Sequence, residues 1–237
     1  MNKNSIPDAA GLLKNNPYPG RAIIVGTSEN GEYALAFYIL TGRSAHSRNR
    51  RLKSTAGRVY TVPVDEKKVV DPRLIIYPAM ARYGNSLIVT NGDQTLTLLD
   101  ALKKGRSFAE ALNERAYEPD APHYTPRISA LLRFDGDPTV STAILRRDPS
   151  SGDCERVFRS YACAPGRGRY FSTYARPGEP LPSFGGDPVE VRLEGAPPEL
   201  CASLWEALDG DNRIALCMKK IALRSKRIET VIVNKYE

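Results

Sequence analysis

Arg21-Ala22-Ile23-Ile24-Val25, Ser28-Glu29-Asn30-Gly31 and Tyr33-Ala34-Leu35-Ala36-Phe37-Tyr38-Ile39-Leu40-Thr41 follow one another along the chain and set its fold class. The outer two are apolar runs of strand length, rich in β-branched and aromatic side chains. The middle one carries Asn-Gly, which supplies the positive φ that a tight hairpin needs. The chain therefore opens on an antiparallel hairpin. The preceding Asn16-Pro17-Tyr18-Pro19-Gly20 reads as a turn fixed by two prolines and a glycine.

Strand patterns continue outward from this hairpin. Arg58 to Val64, Leu74 to Ile76 and Ser86 to Thr90 read as strands. Ile128 to Phe134 and Thr139 to Leu145 form a hairpin about Asp135-Gly136-Asp137-Pro138. Glu155 to Tyr161, Arg169 to Tyr174, Val189 to Leu193, Arg213 to Leu223 and Arg227 to Val233 complete the set. Leu96 to Lys104 is helical, with Leu98, Leu99 and Leu102 on one face and Gly105 placed as its C-terminal cap. Ser107 and Glu110 form a capping box for a second helix. Pro198 opens a third, with Leu200, Leu204 and Leu208 at i, i+4, i+8. Hairpins predominate, so the sheets should be mainly antiparallel. The expected fold is α+β: one domain over residues 1–237, two stacked sheets with helices on their outer faces, and residues 1–15 loosely held.

The 237 residues suffice for a sizeable core, and the 41% hydrophobic and 26% charged content is that of a globular chain. No apolar run is long enough to span a bilayer, and the first residues lack the apolar core of a signal peptide, so a cytoplasmic protein with no membrane partner is expected. The net charge of +7 points to an anionic partner. Its concentration in Arg43, Arg48, Arg50, Arg51 and Lys53, and again from Lys219 to Lys226, suits a phosphate group as well as a polyanion. Without zinc-finger spacings, heptads or stacked-aromatic platforms, nucleic acid is not expected as a partner. The four cysteines form no C-x-x-C pair and only two histidines exist, so reduced thiols and no metal site are expected. Scarce histidine also weakens a Ser-His-Asp reading, in which His123 would be the base.

Three polar clusters follow strands: Arg43–Arg51, Asn91–Thr95 and Tyr117–Arg127. The last, Tyr117-Glu118-Pro119-Asp120-Ala121-Pro122-His123-Tyr124-Thr125-Pro126-Arg127, is too rich in proline for a helix or central strand. A stiff loop loaded with polar side chains holds reactive groups at the end of a scaffold. Arginine forks in the first cluster, with Arg127, suit a phosphate dianion. In the second, Asp93 or Thr95 is placed to cap the following helix. In the third, Glu118 beside tyrosine hydroxyls can move protons if burial raises its pKa. Each cluster alone is also an ordinary charged turn, helix cap or solvated loop. They become a site only if the strand ends lie on one edge.

Asn16-Pro17-Tyr18-Pro19-Gly20-Arg21, Gly42-Arg43-Ser44 with Ser47-Arg48-Asn49-Arg50, Thr90-Asn91-Gly92-Asp93-Gln94-Thr95, Tyr117-Glu118 with Tyr124-Thr125-Pro126-Arg127-Ile128, and Ser172-Thr173-Tyr174 together resemble the archaeal-type inosine monophosphate (IMP) cyclohydrolases, and more closely their bacterial branch. The resemblance runs in order from about Asn16 to the last strands. It implies a four-layer αββα sandwich of the N-terminal-nucleophile hydrolase kind. Met1 and Asn2 offer no such nucleophile, so acyl-enzyme chemistry is not expected. The implied reaction closes the purine ring of 5-formamidoimidazole-4-carboxamide ribonucleotide, with loss of water and without metal or other cofactor. By similarity Glu118, Tyr77 and Arg43 are the catalytic candidates. Glu118 and Tyr77 would move protons and Arg43 would stabilise the oxyanion. Ser44, Asn49, Arg50, Asn91, Gly92, Arg127 and Tyr174 are the substrate-binding candidates. The partner is a small purine ribonucleotide, and the resemblance leaves a homo-oligomer open. Two other classes compete: a nucleotide-binding protein on the same scaffold without catalysis, and an amide hydrolase of the parent fold.

Overall fold

The computed structural model describes residues 6–69 and 72–236. In chain order its elements are α1 (Ala9–Lys14), β1 (Arg21–Thr27), β2 (Tyr33–Thr41), α2 (Ala45–Arg48), β3 (Arg51–Thr55), β4 (Arg58–Val62), α3 (Pro72–Ile75), β5 (Tyr77–Tyr83), β6 (Ser86–Thr90), α4 (Gln94–Lys103), α5 (Phe108–Asn113), β7 (Arg127–Arg133), β8 (Thr139–Arg147), β9 (Cys154–Ala162), β10 (Arg167–Ser172), β11 (Val189–Arg192), α6 (Pro197–Ala207), β12 (Arg213–Ala222) and β13 (Ile228–Asn234). They build two sheets whose paired strands are antiparallel throughout.

The first sheet has six strands in the order β11-β10-β1-β2-β12-β13, and the second is a seven-stranded meander, β3 to β9 in sequence order. The opening hairpin is thus the centre of the first sheet, flanked by strands from the last third of the chain. The entire second sheet is inserted between them. Residues 22–27 and 34–41 are buried without alternation, as expected for strands covered on both faces. One core cluster joins the two sheets, through residues such as Phe37, Leu40, Met80, Val89, Leu132 and Phe171, and includes Leu13 of α1 and Leu200 and Leu204 of α6. A second lies on the other face of the meander, where Leu98 and Leu99 of α4 and Ala111 and Leu112 of α5 meet Ile88, Leu131 and Ala143.

Several expectations need correction. Residues 1–5 lie outside the described part, but the rest of the N-terminal segment is not loose. Asp8 caps α1 by accepting from Ala10 N–H and Gly11 N–H, and Leu13 is fully buried. Leu74–Ile76 is not a strand: Pro72–Ile75 is a short helix, and the strand begins at Tyr77. The arginine-rich segment 42–51, which taken alone reads as a charged turn, reaches into the core. Asn49 and Arg50 are buried, because backbone carbonyls satisfy them: Arg50 donates to Ser47 O at 2.8 Å and Thr41 O at 3.2 Å. Strand β3 has no apolar pattern in the sequence, being mostly exposed and polar at a sheet edge. The four thiols are free, with Cys201 and Cys217 buried and Cys154 and Cys163 half-buried. No described helix is long and apolar enough to cross a membrane.

Candidate active site

The antiparallel order puts the start of β1, β5 and β7 and the end of β2, β6 and β10 on one edge of the two sheets. That edge carries Arg21, Tyr77, Arg127, Arg43, Asn91-Gly92 and Tyr174. Lys219, by contrast, pairs with Ala36 farther along β12, and its buried ammonium donates to Thr230 Oγ1 at 3.0 Å. The second basic cluster therefore does not join this edge.

The loop from Tyr117 to Pro126 is tied down by its own polar groups. Glu118 N–H donates to Thr125 O at 2.9 Å, and the Asp120 carboxylate accepts Thr125 N–H at 2.7 Å as well as the Thr125 hydroxyl. Tyr117 Oη donates to Gly152 O at 2.8 Å. These bonds leave His123 exposed and carry Glu118 inward, where only 8% of it remains accessible. Burial pushes the Glu118 carboxyl above its ordinary range, with the charges of Arg21 and Arg127 opposing the rise.

Arg21 stands at the centre of the cluster. Its Nη2 donates to Glu118 Oε1 at 3.1 Å. Burial works against its charge, but Glu118 first, then Tyr77, Tyr38 and Tyr174, hold the guanidinium firmly protonated. Tyr77 shares a 2.8 Å hydroxyl–hydroxyl bond with Tyr38 of the opposing sheet. Burial, and then Tyr77, raise the Tyr38 hydroxyl well above its usual range, while Arg21 and Arg50 pull it back.

Arg127 is anchored beside Glu118. One of its terminal nitrogens donates to Asp93 at 2.7 Å and to Gln94 Oε1 at 2.8 Å. Asp93 accepts Arg115 through both oxygens at 2.6 Å. Burial would raise its pKa, but the two arginines outweigh that and lower it. Neither expected cap forms: Asp93 makes no capping bond to α4, and Thr95 bonds Thr90 at 2.6 Å. Asn91 holds the turn. It donates to Pro126 O at 2.7 Å and accepts Gln94 Nε2 and Ile128 N–H, both at 2.9 Å. A Cβ on Gly92 would stand 2.6 Å from Gln94 Oε1, 2.7 Å from the Arg127 guanidinium and 3.3 Å from Glu118 Oε1. Only glycine leaves that gap.

At the rim the Arg43 guanidinium lies 4.6 Å over the Tyr18 ring, and Tyr18 stacks on Tyr174 with centroids 5.8 Å apart. Tyr174 Oη bonds Thr125 at 3.1 Å, linking this stack to the Glu118 loop. Gly20 keeps a positive φ of 72°, and a Cβ there would strike the Tyr174 ring at 2.7 Å.

The edge therefore brings together Glu118, Tyr77, Asn91, Gly92, Arg127 and Tyr174, with Arg43 joined through Tyr18 and Arg50 near enough for its charge to act on the Tyr38 hydroxyl. Two other candidates are bonded elsewhere. Ser44 forms a capping box with Ser47, and Asn49 exchanges hydrogen bonds with the backbone of Asp65 at 2.7 and 2.8 Å. Sequence reasoning missed Arg21, Tyr38, Gln94 and Tyr18 as members. Arg21 did carry a signal, a lone cation between Pro-Gly and a wholly apolar strand. Tyr38 carried none.

Comparison with known proteins gives a consistent picture. A family model described as "IMP cyclohydrolase-like protein" matches residues 18–225. The chain is 28% identical over 181 residues to a protein of Methanopyrus kandleri named IMP cyclohydrolase, covering 70% of this chain and 89% of that relative. It is 31% identical over 119 residues to a protein of the same name from Methanothrix thermoacetophila, covering 48% and 57%. A third so named, from Methanococcus aeolicus, is 29% identical over 119 residues, covering 48% and 58%.

Proposed function

This chain belongs to the IMP cyclohydrolase-like family, and from that premise we propose that its Glu118–Arg21–Tyr77 edge closes the purine ring of 5-formamidoimidazole-4-carboxamide ribonucleotide to give inosine monophosphate. The observation that carries this reading is the meeting of three sequence-distant segments on one buried carboxylate: Glu118 touches Arg21 of the first sheet and faces Gly92 and Arg127 of the second.

In the reaction the carboxamide nitrogen attacks the formyl carbon of the same molecule. One proton leaves that nitrogen, a second leaves the formamido nitrogen, and both depart with the formyl oxygen as water. The protein's first task is to fold the substrate so that the two groups meet. The Tyr18–Tyr174 stack offers an aromatic wall for the imidazole ring. Glu118, whose burial raises its pKa and so makes its carboxylate a stronger base, accepts the first proton and, now a neutral acid, returns it to the leaving oxygen. Tyr77 is the second proton carrier, with Tyr38 fixing its hydroxyl. Arg127, buried and oriented by Asp93 and Gln94, supplies positive charge for the tetrahedral oxyanion. Arg43 is exposed and has no ion-pair partner among the described residues, which suits it to the phosphate better than to the oxyanion; Arg50, buried and bonded to the Ser47 and Thr41 carbonyls, braces the segment that carries it. Asn49 and Ser44 serve this strip by holding its backbone.

The packing of α1 and α6 on the first sheet and of α4 and α5 on the second supports the αββα layering of N-terminal-nucleophile hydrolases. A cytoplasmic enzyme acting on a small ribonucleotide, and not on nucleic acid, fits this chemistry.

The test is direct. Purified protein mixed with the formylated ribonucleotide should show the ultraviolet absorbance change of ring closure. Stabilisation of the protein by inosine monophosphate with no turnover would replace the enzyme with a nucleotide-binding protein. Neither turnover nor stabilisation would sink both.

A further inference from the structure

Arg21 is carried on a strand and not on a loop. Its backbone pairs with Leu40 of β2, its carbonyl accepts Thr173 N–H at 2.8 Å, and its own N–H donates to Thr173 Oγ1 at 3.3 Å. Glu118, by contrast, sits in a loop, and its side chain depends on its neighbours for direction. The contact between them is single: Nη2 to Oε1 at 3.1 Å, with the two side chains only 12% and 10% exposed. Glu118 Oε2 has no hydrogen-bond partner among the described residues. A bidentate grip would have used both oxygens, as Arg115 does on Asp93.

We infer that Arg21 is a positioning residue for ring closure, fastening Glu118 by one oxygen so that the other stays free to exchange protons with the substrate. The inference rests on the reading of Glu118 as the proton carrier. It assigns Arg21 no contact with the phosphate, because its side chain is only 12% exposed, its Nη2 is bonded to Glu118, and its Nε, which has no hydrogen-bond partner among the described residues, is buried away from solvent. Arg21 also sets the pH at which the carboxylate forms. Burial, and then the Asp120 charge, raise the Glu118 carboxyl, while Arg21 first and then Arg127 oppose them, so removing the Arg21 charge takes away the larger opposing pull.

The experiment compares wild type, Arg21→Met, Arg21→Lys and Glu118→Gln in kcat and KM across pH. The infrared carboxyl band that disappears in Glu118→Gln follows the titration of Glu118 directly. In Arg21→Met, kcat should fall about tenfold or more while KM stays within about threefold, as for an interaction used in the transition state. The limb of the pH profile that is absent from Glu118→Gln should move to higher pH, together with the infrared titration. Arg21→Lys, which keeps the charge but not the fork, should restore the limb and recover only part of kcat. An unmoved limb and titration in Arg21→Met would overturn the inference. So would a rise in KM alone, which would make Arg21 a substrate anchor. If Arg21→Met does not fold, Arg21→Gln, neutral but able to hydrogen-bond, is read in the same way. Wild-type turnover tests the cyclohydrolase reading separately. If turnover is absent, the infrared titration of the Arg21 variants still decides the pairing.

Discussion

Tyr38 of the first sheet and Tyr77 of the second share a hydroxyl–hydroxyl bond of 2.8 Å, and it spans the interface between the sheets at the foot of the candidate site. Both rings are buried, so each hydroxyl relies on the other. Replacing Tyr38 by Phe strands the Tyr77 hydroxyl and should cost about 1–3 kcal/mol of stability, measured by denaturant unfolding. Tyr77→Phe should lower kcat by about 100-fold if its hydroxyl carries a proton. Wild-type turnover in Tyr77→Phe would reduce the pair to a structural tie.

Glu118→Gln should bind inosine monophosphate, seen by calorimetry, and turn over at least about tenfold more slowly. Its effect on stability has a definite sign. The folded-state pKa of Glu118 lies above the ordinary carboxylate value. Its contribution is therefore fully present below that ordinary value and is lost as pH rises through the raised one. The melting temperature of wild type relative to Glu118→Gln should decline across that window. A constant difference would mean that Glu118 titrates normally in the folded protein.

Asp93 has the opposite sign. Arg115 and Arg127 hold its pKa below the ordinary value, so its contribution is present above that value and is lost as pH falls through the lowered one. Asp93→Asn should be the less stable protein near neutrality, and the gap should close in acid. Asp93 is about half exposed, so the effect should stay below about 1 kcal/mol. Turnover should fall more than stability, because Arg127 loses its anchor. Intact kcat in Asp93→Asn would free Arg127 from the oxyanion role.

Gly92→Ala places a methyl against Gln94, the Arg127 guanidinium and Glu118. Those side chains must shift, and a displacement of this size at a reacting centre costs about 100-fold in rate. Circular dichroism should show the fold intact. Unchanged kinetics would mean that the substrate does not use this gap.

Arg43→Ala should raise KM, most at low salt and progressively less as salt screens the charge, and leave kcat within about threefold, because an exposed cation binding a phosphate stabilises ground and transition states alike. A fall in kcat at constant KM would return Arg43 to the oxyanion.

The hairpins were legible because local chemistry specifies them. Asn30-Gly31 with its flanking apolar runs, the turn before Thr139 and the capping box at Ser107 all appear where the sequence places them. What was not legible depends on partners remote in the chain. Strand β3 shows no apolar pattern because it lies at an edge, and β5 is disguised by Pro78, beside which its register with β4 shifts. In the site, Glu118 was readable from its rigid loop, but its partner was not. Arg21 looks like an ordinary strand-opening cation until the sheets stack, and Tyr38 looks like core.

The order of the strands has a bearing on how the protein is made. A nascent chain that has emerged only as far as β9 holds the complete meander, yet the β1–β2 hairpin still presents two long, unpaired, strongly apolar borders. Those borders close only when β10 and β12 arrive from the ribosome. Until then the molecule is exposed to mispairing with its neighbours, and Arg21 lacks Thr173, just past the end of β10, which later fixes its backbone opposite Glu118.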